Sequence, residues 1–513
     1  MADWRMNVVR CDNRKDNAYR VVEPADGNKI LDKSLTDLTV RVRAVASNTD
    51  DLLIHRHTAN GCEMAVIMFE GLVANLQVSD LLLRPLAHIP PEANTSEKLL
   101  AWLRGDVLLA SDKKEVRTYG ELLRLAMSGF ALVVIDGQQT AIALGYQGFN
   151  VRGISEPSAE MNLRGSREGF VESIVTNVSM VRRRMKSPKM VVESLTLGTL
   201  SNTTVKLLYL SDVVSVELLE KIKKRLGEVK INVLLDSGYL QPFLDRSKFS
   251  IFSGVGTTER PDTLCAKISE GRVAVMVDGT PFALIVPYLF VEHFQSLDDY
   301  SHRPYFASYV RLLKLVSFFA TVLLPGYYVA VVSYHPELIP GVLLTKFLGS
   351  VLYTPLPVLA EAIVVFILYE LLREAGLRLP RPIGHALGIV GGLVIGDAAV
   401  SAGLIGLPMV ILIALTAVSS FVVPTLYEPV TVLRFAFIII GGTLGLYGIY
   451  LGLTLFIINL CSLKTLGIPV TAPTTPMDLH SMRDMFVRAG WKKLQEDTLT
   501  IQNLPGSDIS EKS

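Results

Sequence analysis

The chain has 513 residues, with 50 Lys and Arg against 49 Asp and Glu, for a formal net charge of +1. That balance leaves no basic surplus for nucleic acid, so no nucleic-acid partner is expected. Half of the residues are hydrophobic and mean hydropathy is +0.38, but the excess sits in 305–461, while the first 300 residues have the composition of a soluble protein.

Residues 1–32 carry charges throughout and predict a flexible N-terminal arm. They lack the apolar core of a secretory signal. The soluble part is therefore expected to stay on the cytoplasmic side, with the first apolar helix near residue 310 acting as the insertion signal. Cys11, Cys62, Cys265 and Cys461 are spaced too widely for a zinc knuckle. No metal or cofactor is expected, and so few thiols fit a reducing compartment.

From residue 33 the pattern turns globular and repeats itself. Residues 128–137 (SGFALVVIDG) match 270–279 (EGRVAVMVDG), 142 positions later. The runs 140–144 (TAIAL) and 282–286 (FALIV), and 64–70 (MAVIMFE) and 206–212 (KLLYLSD), align at the same offset. A fixed period of self-similarity marks a repeated structural unit. Each unit reads as helix, strand, helix and strand pair, giving two α/β subdomains at 33–155 and 165–295. A polar, glycine-containing linker (153–169) joins them. Asp136-Gly137 and Asp278-Gly279 are hairpin signals, because that turn needs positive φ. Residues 218–226 (LLEKIKKRL) place apolar residues at helical spacing with lysines opposite, and Pro261 suits the first turn of the next helix.

Chemical motifs in this half are weak. Turn chemistry accounts for the matched Asp136 and Asp278. Gly254-Val255-Gly256 lacks the third glycine of a dinucleotide loop, and Ser237 lacks a nucleophile-elbow setting. His55-Arg56-His57 reads as surface. Arg182-Arg183-Arg184 reads as a solvated helix face, with phosphate or lipid headgroups as the alternative. No nucleophile, acid–base or metal constellation emerges, so an enzyme is not expected.

The fold class is α/β followed by membrane α, with a helical membrane domain over 305–463 and a cytoplasmic tail over 464–513. Four segments approach the roughly 20 apolar residues that a span requires: 312–332, 383–403, 409–423 and 435–460. Residues 340–378 are broken by prolines and by Glu361, Glu370, Arg373 and Glu374, and predict an interfacial or re-entrant helix pair. With four spans the basic tail returns inside, as positive loops favour. If 356–372 also spans, that assignment reverses.

Within 379–402, helical geometry puts Gly384, Gly388, Gly392, Gly396 and Ala399 on one stripe, suited to close helix packing. Val390, Val394, Asp397 and Ser401 fall roughly opposite. A carboxylate in such a helix faces a bundle interior or water, which makes these four the candidate pore-lining residues.

Several stretches resemble the GerA family, the A subunits of spore germinant receptors. They are 258–262 (TERPD), 270–287 (EGRVAVMVDGTPFALIVP), 335–337 (HPE), 378–384 (RLPRPIG) and 460–463 (LCSL), with 164–169 (RGSREG) and Arg182-Arg183-Arg184. A SpoVAF-like branch, in which the family amplifies ion release, resembles the chain on the same motifs. The resemblance implies a multi-pass protein of the inner spore membrane with its N-terminal domain toward the spore core. It implies two partners, a transporter-like, nutrient-binding B subunit and a C subunit lipoprotein. It also implies homo-oligomerisation into a nutrient-gated ion channel. Rings of Val390 and Val394 would then gate, and rings of Asp397 would favour cations. A secondary transporter would show repeated membrane halves, which the sequence lacks. A membrane-anchored scaffold or signalling subunit without its own pore is the other alternative.

Overall fold

The computed structural model describes residues 27–105, 112–148, 164–245, 250–342, 354–379, 396–478, 480–494 and 500–509, with isolated gaps and positions at the edges of these runs. The first unit opens with α1 (Leu35–Val45), whose N-cap Ser34 accepts from the Asp37 amide and whose Leu35, Leu38 and Val42 are buried at helical spacing. Then come β1 (Leu52–Ala59) and β2 (Cys62–Phe69). Asn60 and Gly61 join them, both at positive φ, as a two-residue primed turn requires. The unit continues with α2 (Ser96–Arg104), β3 (Lys113–Val116), α3 (Tyr119–Ala126), β4 (Phe130–Ile135) and β5 (Ala141–Gly145). The strands order as β1-β2-β4-β5-β3, every neighbour antiparallel.

The second unit repeats this plan. It contains α4 (Ile174–Arg184), β6 (Met190–Leu197), β7 (Thr203–Leu210) and α5 (Val216–Gly227). After these come β8 (Gly256–Thr258), α6 (Pro261–Ser269), β9 (Val273–Val277) and β10 (Ala283–Val286). Its order is β6-β7-β9-β10-β8, again antiparallel throughout. The sequence pattern omits β1 and β6, and β3 and β8, from this plan. Pro261 opens α6 as expected. Both sheets are covered on both faces. In the first, α1 and α3 pack on Ala65, Ile67, Leu132 and Val134, and α2 on Met64, Val66, Ala131 and Val133. This double cover is why β4 and β9 read as unbroken apolar runs rather than alternating ones.

The paired aspartates have one structural task. Asp136 Oδ1 accepts from the amide of Leu35 at 2.8 Å, and Asp278 Oδ1 from the amide of Ile174 at 3.1 Å. Each carboxylate sits at the start of its unit's first helix, where it meets an orphan N–H and the positive end of the helix dipole. The repeat register needs one correction. Val133 pairs with Ile142 and Val275 with Leu284, which keeps the 142 offset. Met64, however, pairs with Ile135 while Val205 pairs with Val277, so Met64 corresponds to Val205 and not to Lys206. A one-residue slip would exchange the two faces of the strand.

The apolar half contains four long helices among the described residues: α7 (Pro304–Tyr334), α8 (Val358–Arg378), α9 (Leu407–Ser420) and α10 (Tyr427–Ser462). Helices α7 and α10 touch backbone to backbone. A Cβ on Gly326 would lie 2.4 Å from the Phe437 carbonyl oxygen, and one on Gly441 would lie 2.3 Å from that of Gly326. Gly445, at φ +60, interrupts α10 beside the Tyr334 ring. Residues 358–378, the second part of the stretch predicted as an interfacial or re-entrant helix pair, form one continuous helix of 21 residues. Of its interrupting carboxylates, Glu361 turns inward: it is buried and accepts from the Gly406 amide at 2.8 Å.

The segment expected as a tail forms a strap. Residues from 464 onward return to the second unit, where Leu466, Ile468, Ala472, Ile501, Leu504 and Ile509 share a core with α5, Val205 and Leu207. Gly254 lets the strap in, since a Cβ there would lie 1.8 Å from Thr465 Oγ1. Gly256 makes room for the Tyr288 ring in the same way. The two glycines are packing positions.

Arg182 joins the two units, which corrects its reading as a solvated face. It has no exposed side-chain surface. Nε and Nη2 each donate to Asp51 at 2.7 Å, Nη2 donates to Thr49 at 3.0 Å, and the guanidinium lies over the Phe69 ring. Arg183 and Arg184 both pair with Glu168 of the linker, and Lys206 reaches Glu70 across the same boundary at 3.0 Å. Asp51→Ala leaves a buried guanidinium without its carboxylate and is expected to cost about 3–5 kcal/mol. Denaturant titration of the detergent-solubilised chain checks this, and an unmoved midpoint would contradict the role given to the pair.

Candidate functional site: buried charges between the apolar helices and at their base

Two groups of buried charge stand out, one among the apolar helices and one where they meet the second unit. The upper one lies inside the helical domain. Arg434, on α10, has no exposed surface, and its Nη2 lies 3.3 Å from Glu370 Oε1 on α8. Arg434 stands over the rings of Phe366 and Tyr369 at 5.3 and 5.7 Å. Its Nε and Nη1 have no hydrogen-bond partner among the described residues. Glu370 also takes Arg373 Nε at 3.2 Å and the Tyr427 hydroxyl. A charge held in an apolar helical bundle is expensive, so it pairs or carries function. Arg434 is the functional candidate that sequence reasoning missed. It immediately precedes the apolar run and reads as a flanking charge, and its partner lies in the charge-interrupted stretch 340–378.

The lower group ties the base of α7 to both neighbours. Arg311 is fully buried. Its Nε donates to Asp299 Oδ2 at 2.7 Å, and its Nη1 to Asp484 Oδ1 at 2.9 Å and the Met485 carbonyl at 2.7 Å. Tyr300 donates its hydroxyl to Asp484 at 2.6 Å. Beside it, Glu292 accepts from Lys267 and Arg272, both at 2.5 Å, and caps the Leu289 amide. Lys267, Arg272, Glu292, Tyr300, Asp484 and Met485 line a cavity of about 70 Å³ between the second sheet and the strap, with Ser481 and Thr500 on its wall. At roughly 10–15 Å³ per water it has room for a handful of solvent molecules.

Aromatic rings complete the junction. Phe252, Phe290 and Phe294 of the second unit meet Phe318 of α7 and Phe456 of α10, with centroid separations of 5.3 to 6.5 Å. His293 packs edge-on to Tyr288, and its Nδ1 lies 3.1 Å from Thr425 Oγ1, in the turn before α10. Burial holds the His293 imidazole down at about 4, against a partial upward pull from Glu292. In the linker, burial pushes Glu160 up to about 7, although Thr258 donates to it at 2.7 Å.

The pore candidates are only partly visible. Val390 and Val394, with Gly384, Gly388 and Gly392, lie outside the described residues. Gly396, Asp397 and Ser401 lie on a short helix, Gly396–Ser401, where Asp397 and Ser401 are exposed. Ser237 is buried in an Asp236-capped turn, and His57 leans on the Leu86 carbonyl at 3.2 Å. Among the described residues no cluster of His, Cys, Asp or Glu is arranged to hold a metal.

Two α/β units docked on a domain of long apolar helices define the class. Two of those helices, Pro304–Tyr334 and Pro424–Ser462, are long and apolar enough to cross a membrane. Residues 41–498 match the family described as Bacillus/Clostridium GerA spore germination protein. Spore germination protein KA of Bacillus subtilis is 38% identical over 83% of this chain and 79% of that relative. Spore germination protein B1 of the same organism is 34% identical over 89% and 95%. The Bacillus subtilis membrane protein YfkQ is 33% identical over 93% and 94%. Among solved structures, the N-terminal domain of the A subunit of the Bacillus megaterium spore germinant receptor GerK3 aligns with 51% of this chain and 98% of its own. Its identity is 28% and its TM-score 0.41. The chain belongs to the GerA family of spore germination proteins.

His293 gives the junction a pH dependence of known sign. Its native pKa of about 4 lies below the ordinary 6.5, so the unfolded chain takes the proton first. Stability from this group is complete above pH 6.5 and falls as pH drops toward 4. Glu160 acts in the opposite sense, losing stability as pH rises from 4.5 to 7. His293→Asn should flatten the acid-side loss in a series of thermal midpoints against pH; an unchanged slope would show that His293 does not titrate in folding.

Proposed function

We propose that the chain is the A subunit of a nutrient germinant receptor. In this reading it sits in the inner spore membrane with its α/β units toward the spore core. Copies assemble through the helical domain into a cation channel that opens when nutrient binds a partner B subunit, with a C subunit lipoprotein completing the receptor. The observation that carries this reading is the uncovered face of α10. In the most apolar window of the helix that contains it, 28% is buried inside the chain. Tyr447, Tyr450, Leu455 and Ile458 are each more than half exposed. So much apolar surface calls for lipid and neighbouring copies, and a ring of copies supplies walls that one chain's few helices lack.

The charged groups give such a channel its coupling. Arg311 fixes the base of α7 to Asp299, just after the second unit, and to Asp484 of the strap, so a shift of the soluble half is passed to a helix that touches α10 through Gly326 and Gly441. Arg434 and Glu370 tie α10 to α8. In this reading Asp397 and Ser401 face the ion path and Asp397 sets its charge preference. Asp397→Asn is expected to weaken cation over anion preference in channels reconstituted in planar bilayers. Unchanged reversal potentials would remove Asp397 from the path.

A further inference from the structure

Helix α7 is longer than a bilayer core requires. Its 31 residues run about 46 Å at 1.5 Å per residue, against about 30 Å of hydrocarbon. On the reading that α7 spans the membrane, about ten residues stand outside the core. Arg311, locked to Asp299 and Asp484, places that excess at the N-terminal end. The end is aromatic and open to solvent, with Tyr305 71%, Phe306 45% and Tyr309 61% exposed.

The strap is pinned to the same level. Buried Arg488 donates from Nη1 to the His302 carbonyl at 2.9 Å, and its amide donates to Ser308 Oγ at 2.9 Å. Its guanidinium lies over the rings of Tyr300 and Trp491, at 5.4 and 5.1 Å. Arg483 closes the segment by donating to the Lys493 carbonyl at 3.3 Å. What these contacts leave outward is an amphipathic tip. Val487 is 68% and Trp491 55% exposed, and the exposed Lys492 and Lys493 follow. Large apolar side chains beside lysines, level with the tyrosines that open an apolar helix, match the chemistry of a bilayer's interfacial zone.

We propose that 487–493 docks on the anionic headgroup surface of the bilayer. Val487 and Trp491 enter the boundary of the hydrocarbon, and Lys492 and Lys493 meet lipid phosphates. The strap thus joins three things at one height: the membrane surface, the base of α7 and the core of the second unit. The proposal rests on the reading that α7 crosses the membrane, and the test separates the two.

The chain has three tryptophans, so the full-length W4F/W102F variant leaves Trp491 as the sole emitter. It is reconstituted in vesicles of phosphatidylglycerol and phosphatidylcholine whose acyl chains carry bromine either near the headgroup or near the terminal methyl. Trp491 emission should shift to the blue and be quenched by the shallow bromine more than by the deep one. K492E/K493E in this background should reduce the shallow quenching, as should vesicles of phosphatidylcholine alone. A companion variant with W491F and Tyr327→Trp reports on the middle of α7. Deep quenching there with no shallow quenching of Trp491 would overturn the docking while leaving the spanning reading intact. No quenching at either position would overturn both.

Discussion

The molecule depends on carboxylates that neutralise buried guanidinium groups, and Arg311 is the case on which the rest turns. Its side chain has no exposed surface and gathers Asp299, Asp484 and the Met485 carbonyl around one helix base. Three parts of the chain meet there: the segment just after the second unit, the first long apolar helix that follows it, and the strap, whose Asp484 lies 173 residues further on. A buried guanidinium costs several kcal/mol unless it is paired and hydrogen-bonded. The three parts therefore hold each other in register, because separating any one strands a charge.

The same device recurs at the other boundaries. Arg182 with Asp51 fastens the first unit to the second, and Arg434 with Glu370 fastens α10 to α8. Arg260 is also buried; it pairs with Asp262 and donates to the Ser166 carbonyl, which holds the linker against β8 and α6. Arginine suits these places because its planar fork donates to several acceptors at once and stacks on rings. Apolar packing builds each core, and the ion pairs set how the cores are joined. For a receptor subunit this division is useful, since charged joints are sensitive to what happens at either side.

The repeated unit was legible where its strands are apolar from end to end, at β4 with β5 and at β9 with β10. Asp136 and Asp278 were rightly read as structural, although their partners, the amides of Leu35 and Ile174, lie about a hundred residues away. The outer strand β1 escaped because half of its residues are exposed. Asn60-Gly61, the strongest local hairpin signal in the chain, was there to be used. In α8, Glu361 and Glu370 count as water-seeking by hydropathy, whereas one caps the start of α9 and the other holds Arg434. The strap left no periodic trace: Leu466, Ile468, Ile501 and Leu504 are scattered among turns and gain meaning from the second sheet alone. Arg182 looked like one of three surface arginines, since its burial is decided by Asp51 of the other unit.

Arg311 is the common joint of these parts. Hydrogen exchange on the full chain, comparing wild type with Asp484→Ala, measures this directly. Faster exchange is expected across 466–489 and 305–311 together, with the amides of β1, β2, β4 and β5 in the first unit unchanged. Wild-type protection of both segments in the variant would contradict it.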